Sequence, residues 1–419
     1  MRALLRRLGD PQRSLRGALI GGTNGKGSTQ EMVAAMLRAG GLVVGQAPSP
    51  HLSDYGERIV VDAQAITLTD LDALLWEVIA ASLLGERRHG PATEFELLMA
   101  AAFAWFARQR VEVTVVEVGL GGRLDASNTW AAGVAAITNV GLDHQEYLGS
   151  TLRSIAHEKA AIIKRGDRAV TGATGEALRV IHRRAARLGV PLTECQPLVV
   201  ERMEPAGMLL RDPRLGPLRL PLLGRHQAQN AAVALATIEA LGEGGIARAG
   251  DDAQRRGLER VRWPGRMEVL HGEGITIVLD GAHNPDGAAA LAATLDELRA
   301  TLPGSALTLL LGILRDKEVA DVLSALTGSD GLRTARLVAT GVPDSDRSLD
   351  AASLARAWAS LPGTQRATLS TNDVEAALTA ALRIARAEGG TLVVTGSLYL
   401  VGHVRASLMS VGAYEPPDA

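Results

Sequence analysis

Gly21-Gly22-Thr23-Asn24-Gly25-Lys26-Gly27-Ser28 is the stretch that decides the fold; the apolar run Ala18-Leu19-Ile20 precedes it and a helical pattern over 30–38 follows. A glycine-rich turn between a strand and a helix aims several backbone N–H groups at one point, where the helix N-terminus also favours negative charge. Lys26 adds a cation and Ser28 a hydroxyl suited to a magnesium ion. Asn24, Gly25, Lys26, Gly27 and Ser28 therefore read as a polyphosphate cradle. The spelling departs from the common phosphate loop, because Gly27 separates Lys26 from Ser28 and Ile20 stands where the first glycine usually falls.

Outward from this loop, strand-like runs alternate with amphipathic helical patterns, which predicts parallel β-α-β units. Strands are expected over 18–22, 42–45, 113–118, 134–139 and 169–172. Helices are expected after Lys26, over 70–84, after Thr93, over 151–163 and up to 188. Residues 198–220 carry short apolar pairs broken by Gly and Pro, a pattern that predicts a small antiparallel excursion, and an alanine-rich helix over 227–241 follows. Arg262-Trp263-Pro264-Gly265-Arg266 interrupts the pattern before a second series, with strands over 276–279, 307–311, 336–340 and 391–395. The expected fold class is α/β with two doubly wound domains. An N-terminal P-loop ATPase-like domain would span 1–262 and a smaller C-terminal Rossmann-like domain 267–419, with ligands in the cleft between them. The tail after Tyr414 reads as disordered.

Composition narrows the function classes. A chain of 419 residues, 47% of them hydrophobic, has ample material for folded domains. The net charge of −2 and the lack of a long basic run argue against a nucleic-acid partner. Neither a secretory leader nor a bilayer-length apolar run is evident, so no membrane partner is expected and the cytoplasm is the expected location. The single Cys195 excludes an internal disulfide and reads as a small buried residue. Of 44 basic residues only Lys26, Lys159, Lys164 and Lys317 are lysines, so arginine serves wherever a surface cation is enough. Lysine can lose its proton or be modified and arginine cannot, which draws attention to the lysines that remain.

Three further segments in the first half place polar groups at expected strand ends. Ala47-Pro48-Ser49-Pro50-His51 is a proline-stiffened loop after a strand. In Val115-Val116-Glu117-Val118 a carboxylate interrupts an apolar strand and runs into the glycine-rich stretch 119–125. Such a carboxylate is costly unless paired or metal-bound, so Glu117 is a magnesium-ligand candidate. Asn139-Val140-Gly141-Leu142-Asp143-His144 repeats the pattern. A histidine alone is more often structural, but His144, Ser49 and Glu117 share the strand edge that carries the loop. Thr93 and Glu96 have the spacing of a helix capping box, and Asn284-Pro285 that of a helix start.

Together the runs TNGKGS at 23–28, SPHL at 49–52, EVGLGGRLDASN at 117–128, NVGLDHQEYLG at 139–149 and IAHEKAAIIK at 155–164 carry a family resemblance. WPGRME at 263–268, LDGAHNPDG at 279–287 and GSLYLVG at 396–402 extend it over nearly the whole chain. The chain resembles the folylpolyglutamate synthases of the bacterial type, which also resemble dihydrofolate synthase, within the Mur-ligase superfamily. The resemblance implies that Lys159 is carbamylated and joins Ser28, Ser49, Glu117 and His144 as metal contacts. It also implies that Asn230, Arg266 and Asp280 contact ATP, with His283 beside them. Thr93, Phe95, Glu96, Arg123, Leu124, Asp125 and Ala126 would form the pterin-substrate site. A solvated position on the helix is the plainer reading of Lys159, and Lys164 fits that plainer role well.

The implied function is an ATP-dependent ligase, assisted by Mg2+, that adds L-glutamate to dihydropteroate and to reduced folates through an acyl phosphate. Lys26, Lys159 and His144 would be its catalytic residues. With aromatic residues only 3% of the chain, polar contacts would carry most ring recognition. Alanine after Asp125 resembles the dihydrofolate-synthase form of the loop and implies both activities; polyglutamylation alone is the alternative. A monomer is expected. A cell-wall Mur ligase is the nearest competing enzyme, disfavoured because the stretch before Thr23 has no room for its usual extra domain. A nucleotide-binding switch is the non-enzyme alternative, separable by glutamate-dependent ADP release.

Overall fold

The computed structural model describes residues 1–85, 90–304, 306–364 and 368–415. The chain divides into two compact units. The first comprises Met1–Val199, Arg211–Leu218 and His226–Val261, and the second Val200–Leu210, Arg219–Arg225 and Arg262–Ala419.

The first unit is built on an eight-stranded sheet. Its strands are β1 (Gly17–Gly21), β2 (Val44–Ala47), β3 (Val60–Val61), β4 (Gln64–Ala65), β5 (Val113–Glu117), β6 (Gly133–Ile137), β7 (Arg168–Thr171) and β8 (Leu192–Glu194). The order is β4-β3-β2-β5-β1-β6-β7-β8, so β1 lies between β5 and β6. Pairing is parallel from β2 to β8 and antiparallel only at the β2-β3-β4 edge. β1 and β5 are buried at every position, as expected of strands in the middle of a parallel sheet. The expected strand over 42–45 begins two residues later, because the helix Lys26–Ala39 closes through the left-handed Gly41 before the strand starts.

Short edge elements, β3, β4 and β8, escaped the sequence reading, as did the helix Asp251–Arg260. That helix packs against Lys26–Ala39 through Gly257, where a Cβ would come within 2.5 Å of the Met36 backbone. The excursion over 198–220 is a three-stranded sheet of β9 (Val199–Glu204), β10 (Gly207–Asp212) and β11 (Gly216–Leu220), in which sequence neighbours are spatial neighbours.

The second unit carries a six-stranded sheet of β12 (Glu268–Gly272), β13 (Ile275–Leu279), β14 (Leu307–Leu311), β15 (Arg336–Thr340), β16 (Leu369–Thr371) and β17 (Thr391–Thr395). The order is β12-β13-β17-β14-β15-β16, antiparallel only between β12 and β13. Each unit is thus an α/β layer structure with a largely parallel sheet, as the alternating pattern predicted. At the tail, Glu415 bridges to His271; residues 416–419 of the stretch expected to be disordered lie outside the described residues. No helix among the described residues is long and apolar enough to cross a membrane.

Candidate active site

The phosphate loop leaves the carboxyl end of β1 in the middle of its sheet. Gly25, left-handed at φ 79°, precedes the helix Lys26–Ala39, which has no side-chain cap. Its first N–H groups are therefore offered to a ligand. Asn139 and Thr138 hold the loop in place. The Asn24 N–H donates to Asn139 Oδ1 at 2.9 Å, and the Thr138 hydroxyl to the Asn24 carbonyl at 2.6 Å. Lys26 Nζ folds back to the Thr23 carbonyl at 3.0 Å and lies 3.9 Å from Glu117 Oε1. Gln227 donates to the Ser28 hydroxyl at 3.3 Å and accepts from Asn230 Nδ2 at 2.8 Å.

Asn230 packs so tightly on the loop that a Cβ on Gly25 would lie 2.2 Å from its Oδ1. Gly25→Ala should therefore cost stability by about 1–2 kcal/mol from the left-handed backbone alone. A melting curve lower by a few degrees, together with lost nucleotide affinity in titration, is the expected result. An unchanged melting temperature with unchanged affinity would show that the loop tolerates a side chain there.

Glu117, at the end of β5, is 4% exposed and accepts the Ser49 N–H at 3.1 Å through Oε2. The Ser49 hydroxyl in turn accepts from Arg58 at 3.1 Å. Lys159 is also buried, at 5% exposure, and Nζ donates to the Gly22 carbonyl at 2.8 Å. Burial, reinforced by the charge of Lys26 and opposed by Asp143 and Asp125, lowers its amine to about 7. The solvated alternative for Lys159 is thus excluded by its position. Lys164 also departs from the plain surface role: it is half-buried, and burial, with Arg184 and Arg2 adding and Asp167 opposing, lowers its amine to about 8.

His144 is left-handed at φ 52° and precedes the short helix Gln145–Leu148. Its side chain remains 41% exposed, with Nε2 3.8 Å from Asp143 Oδ2. The buried Asp143 accepts the His144 N–H at 2.9 Å and acts electrostatically on Lys159. Asp143, Gln227, Thr138 and Asn139 were not singled out from sequence. For Asp143 the available signal was a second carboxylate at a strand end beside His144.

The loop from Gly119 to Ala126 folds around Asp125. One carboxylate oxygen accepts the Leu120 N–H at 2.9 Å and the other the Ser127 N–H at 3.0 Å, so Asp125 caps its own loop before it offers anything to a ligand. Burial raises this carboxyl, against those hydrogen bonds. Phe95 backs onto the loop, since a Cβ on Gly119 would lie 2.7 Å from its ring. Leu124 is 81% exposed, Ala126 is buried, and Arg123 pairs with Glu158 at 2.8 Å. Thr93 and Glu96 do form the capping box, and Glu96 Oε1 also accepts from the Met1 ammonium at 2.7 Å.

In the second unit, buried Asp280 follows β13 and accepts N–H groups from Met267 at 2.8 Å and Ala282 at 2.9 Å. Burial raises its carboxyl, opposed first by Arg266, whose guanidinium would lie 2.5 Å from a Cβ on Gly281. His283 Nδ1 donates to the Gly281 carbonyl at 2.8 Å. Asn284 caps the helix Pro285–Leu298 through the Gly287 N–H, as an Asn-Pro start requires.

A buried carboxylate, a buried amine and a helix with no side-chain cap lie at one sheet edge, and two family matches name the class of protein that carries them. The Mur ligase middle domain matches residues 20–194, and the Mur ligase glutamate ligase domain matches residues 265–398. The dihydrofolate synthase/folylpolyglutamate synthase of Bacillus subtilis is 36% identical over 78% of this chain and 77% of its own length. The folylpolyglutamate synthase of Lacticaseibacillus casei is 34% identical over 97% and 93%. Among solved structures, Mycobacterium tuberculosis folylpolyglutamate synthase complexed with ADP superposes with a TM-score of 0.86 at 34% identity, covering 97% of this chain and 93% of that one. The E. coli FolC complex with DHPP and ADP gives 0.81 at 29%, covering 98% and 92%. The chain belongs to the dihydrofolate synthase/folylpolyglutamate synthase family of Mur-type ligases.

Proposed function

We propose that this chain is an ATP-dependent ligase that joins L-glutamate to dihydropteroate and to reduced folates, acting as a monomer in the cytoplasm, a setting that suits its single cysteine. The observation that carries the reading is the uncapped helix Lys26–Ala39 with Lys26 beside buried Glu117, a phosphate site and a carboxylate at one strand edge. A carboxylate is a poor electrophile because its leaving group is poor. Transfer of the terminal phosphoryl of ATP to it gives an acyl phosphate, and the glutamate amine then attacks the carbonyl carbon and expels phosphate. Lys26 neutralises charge on the transferring group, while the first N–H groups of the helix hold the phosphate oxygens.

The donors available for magnesium are hard oxygens, Ser28 and Glu117. Among the described residues no group of three or more His, Cys, Asp or Glu side chains could hold a metal. The oxygen donors Ser28 and Glu117 suit magnesium, which takes one or two carboxylates along with substrate phosphates and water. When bound, the ion would screen the phosphate charges. Ser49 and His144 complete the proposed set. Lys159 is proposed to be carbamylated: its burial keeps part of the amine neutral near pH 7, and the lone pair adds to carbon dioxide with loss of one proton. For Asn230, Arg266, Asp280 and His283 the nucleotide roles rest on the family resemblance.

The Asp125 loop with Phe95 is the proposed pterin site, flanked by Thr93, Glu96, Arg123, Leu124 and Ala126. Asp125→Ala should lower kcat/KM for dihydropteroate more than for a folate already bearing glutamates. Equal losses would reduce Asp125 to the loop cap seen here. The reading as a whole is tested by mass-resolved ligation with ATP and glutamate, offering dihydropteroate and a reduced folate separately. Products one glutamate heavier from both are expected. Extension of the reduced folate alone leaves polyglutamylation only, and ATP hydrolysis indifferent to glutamate and pterin would indicate a nucleotide switch.

A further inference from the structure

A cavity of about 500 Å³ opens in the first unit between the helices Leu152–Ala160 and Gly175–Leu188. Its charged lining is Arg123, Arg183, Arg184 and Arg187, with His157 and a single carboxylate, Glu158. In a chain of net charge −2 this concentration of one sign is local. Two of the four guanidinium groups are engaged: Arg123 pairs with Glu158 at 2.8 Å, and Arg184 donates to the Ile163 carbonyl at 2.9 Å. Among the described residues, Arg183 and Arg187 have neither a hydrogen-bond nor an ion-pair partner. They stand four residues apart on one helix, where like charges repel. Burial and the charge of Arg187 also lower the guanidinium of Arg184 from its usual value.

A cavity walled by one sign of charge concentrates counter-ions, and the planar guanidinium fork matches a carboxylate. We propose that this cavity is a subsite for the γ-glutamyl tail of a folate that already carries several glutamates, an oligocarboxylate that gains one free carboxylate with every round. This inference rests on the ligase reading above. With the ring end held at the Asp125 loop and the reacting carboxylate at Lys26, each added residue lengthens a segment between two fixed ends, and the surplus must bulge outward. Arg123 belongs both to that loop and to the cavity wall, and Glu158 on the wall directly precedes Lys159. A monoglutamyl substrate has no surplus and makes no use of the cavity.

The double variant Arg183→Gln, Arg187→Gln tests this, since both side chains are exposed and the fold does not draw on them. With a monoglutamyl reduced folate, kcat and KM should stay within about twofold of wild type. With a tetraglutamyl folate, KM should rise about tenfold or more at little change in kcat, and its salt dependence should weaken. An unchanged KM for the tetraglutamyl substrate overturns the proposal. Binding of fluorescently labelled tetra-γ-glutamate to the full chain decides the same question without turnover. If no folate is ligated at all, the ligase reading fails, while loss of this binding in the variant still supports the cavity as an oligocarboxylate site. Displacement of the label by tripolyphosphate or a short single-stranded oligonucleotide as readily as by γ-glutamate would overturn it in favour of a general polyanion surface.

Discussion

Lys26→Met is expected to lower kcat for ligation by about 10²–10³-fold, the usual cost of removing one positioned electrostatic donor at a transferring group. The amine makes one hydrogen bond, to the Thr23 carbonyl, and a loose 3.9 Å approach to Glu117. Its removal should therefore leave the melting temperature nearly unchanged, which separates a charge deficit from a folding defect. Nucleotide affinity should fall less than kcat, because the backbone N–H groups of the helix Lys26–Ala39 still meet the phosphates. Full activity in the variant would remove Lys26 from phosphoryl transfer and with it the main support for the ligase reading.

Lys159→Ala is expected to lose activity on the same scale and to regain part of it when acetate or another small carboxylic acid is supplied, as the shortened side chain leaves room for a substitute carboxylate. Lys159→Arg should not be rescued, since its guanidinium neither adds carbon dioxide nor vacates the site. A ¹³C-bicarbonate resonance that is lost on acidification and missing from both variants would identify the carbamate directly. An active Lys159→Arg enzyme would end the idea.

The unmodified amine also has a stability signature. Its folded value, about 7, is below the ordinary lysine value near 10.4, so between these the unfolded chain binds more protons. Stability should then rise with pH across that window, and below about pH 7 the cost of burying the charge is fully present. Lys164, lowered to about 8, adds a contribution of the same sign over a narrower range. Subtracting the pH–stability curve of Lys159→Met from that of wild type isolates the Lys159 contribution. A flat difference curve would mean that Lys159 binds protons equally in the folded and unfolded chain, and would overturn the lowering of its amine by burial.

Much of the molecule follows from periodicity. The central strands of both units run close to the positions their apolar runs dictate, and β14, β15 and β17 match residue for residue, because buried parallel strands must be nearly uniformly apolar. Edge strands such as β3, β4 and β16 have only two or three residues and little burial, so they leave no comparable pattern. The capping box at Thr93 and Glu96 and the cap at Asn284 were legible because a cap depends on residues within one turn.

The sequence alone determined the two α/β layers, the phosphate loop and the residue types at its strand edge. All of these depend on local spacing and on which side chains can be buried. Tertiary structure decided which groups share that edge. It turned Lys159 inward to Gly22, placed Asp143 near enough to act on it, and seated Asn230 against Gly25. It also turned Asp125 onto its own loop and gathered arginines from separate segments around one cavity. These outcomes depend on side chains far apart in the chain sharing a low-dielectric interior or a common wall, and no local pattern encodes such proximity.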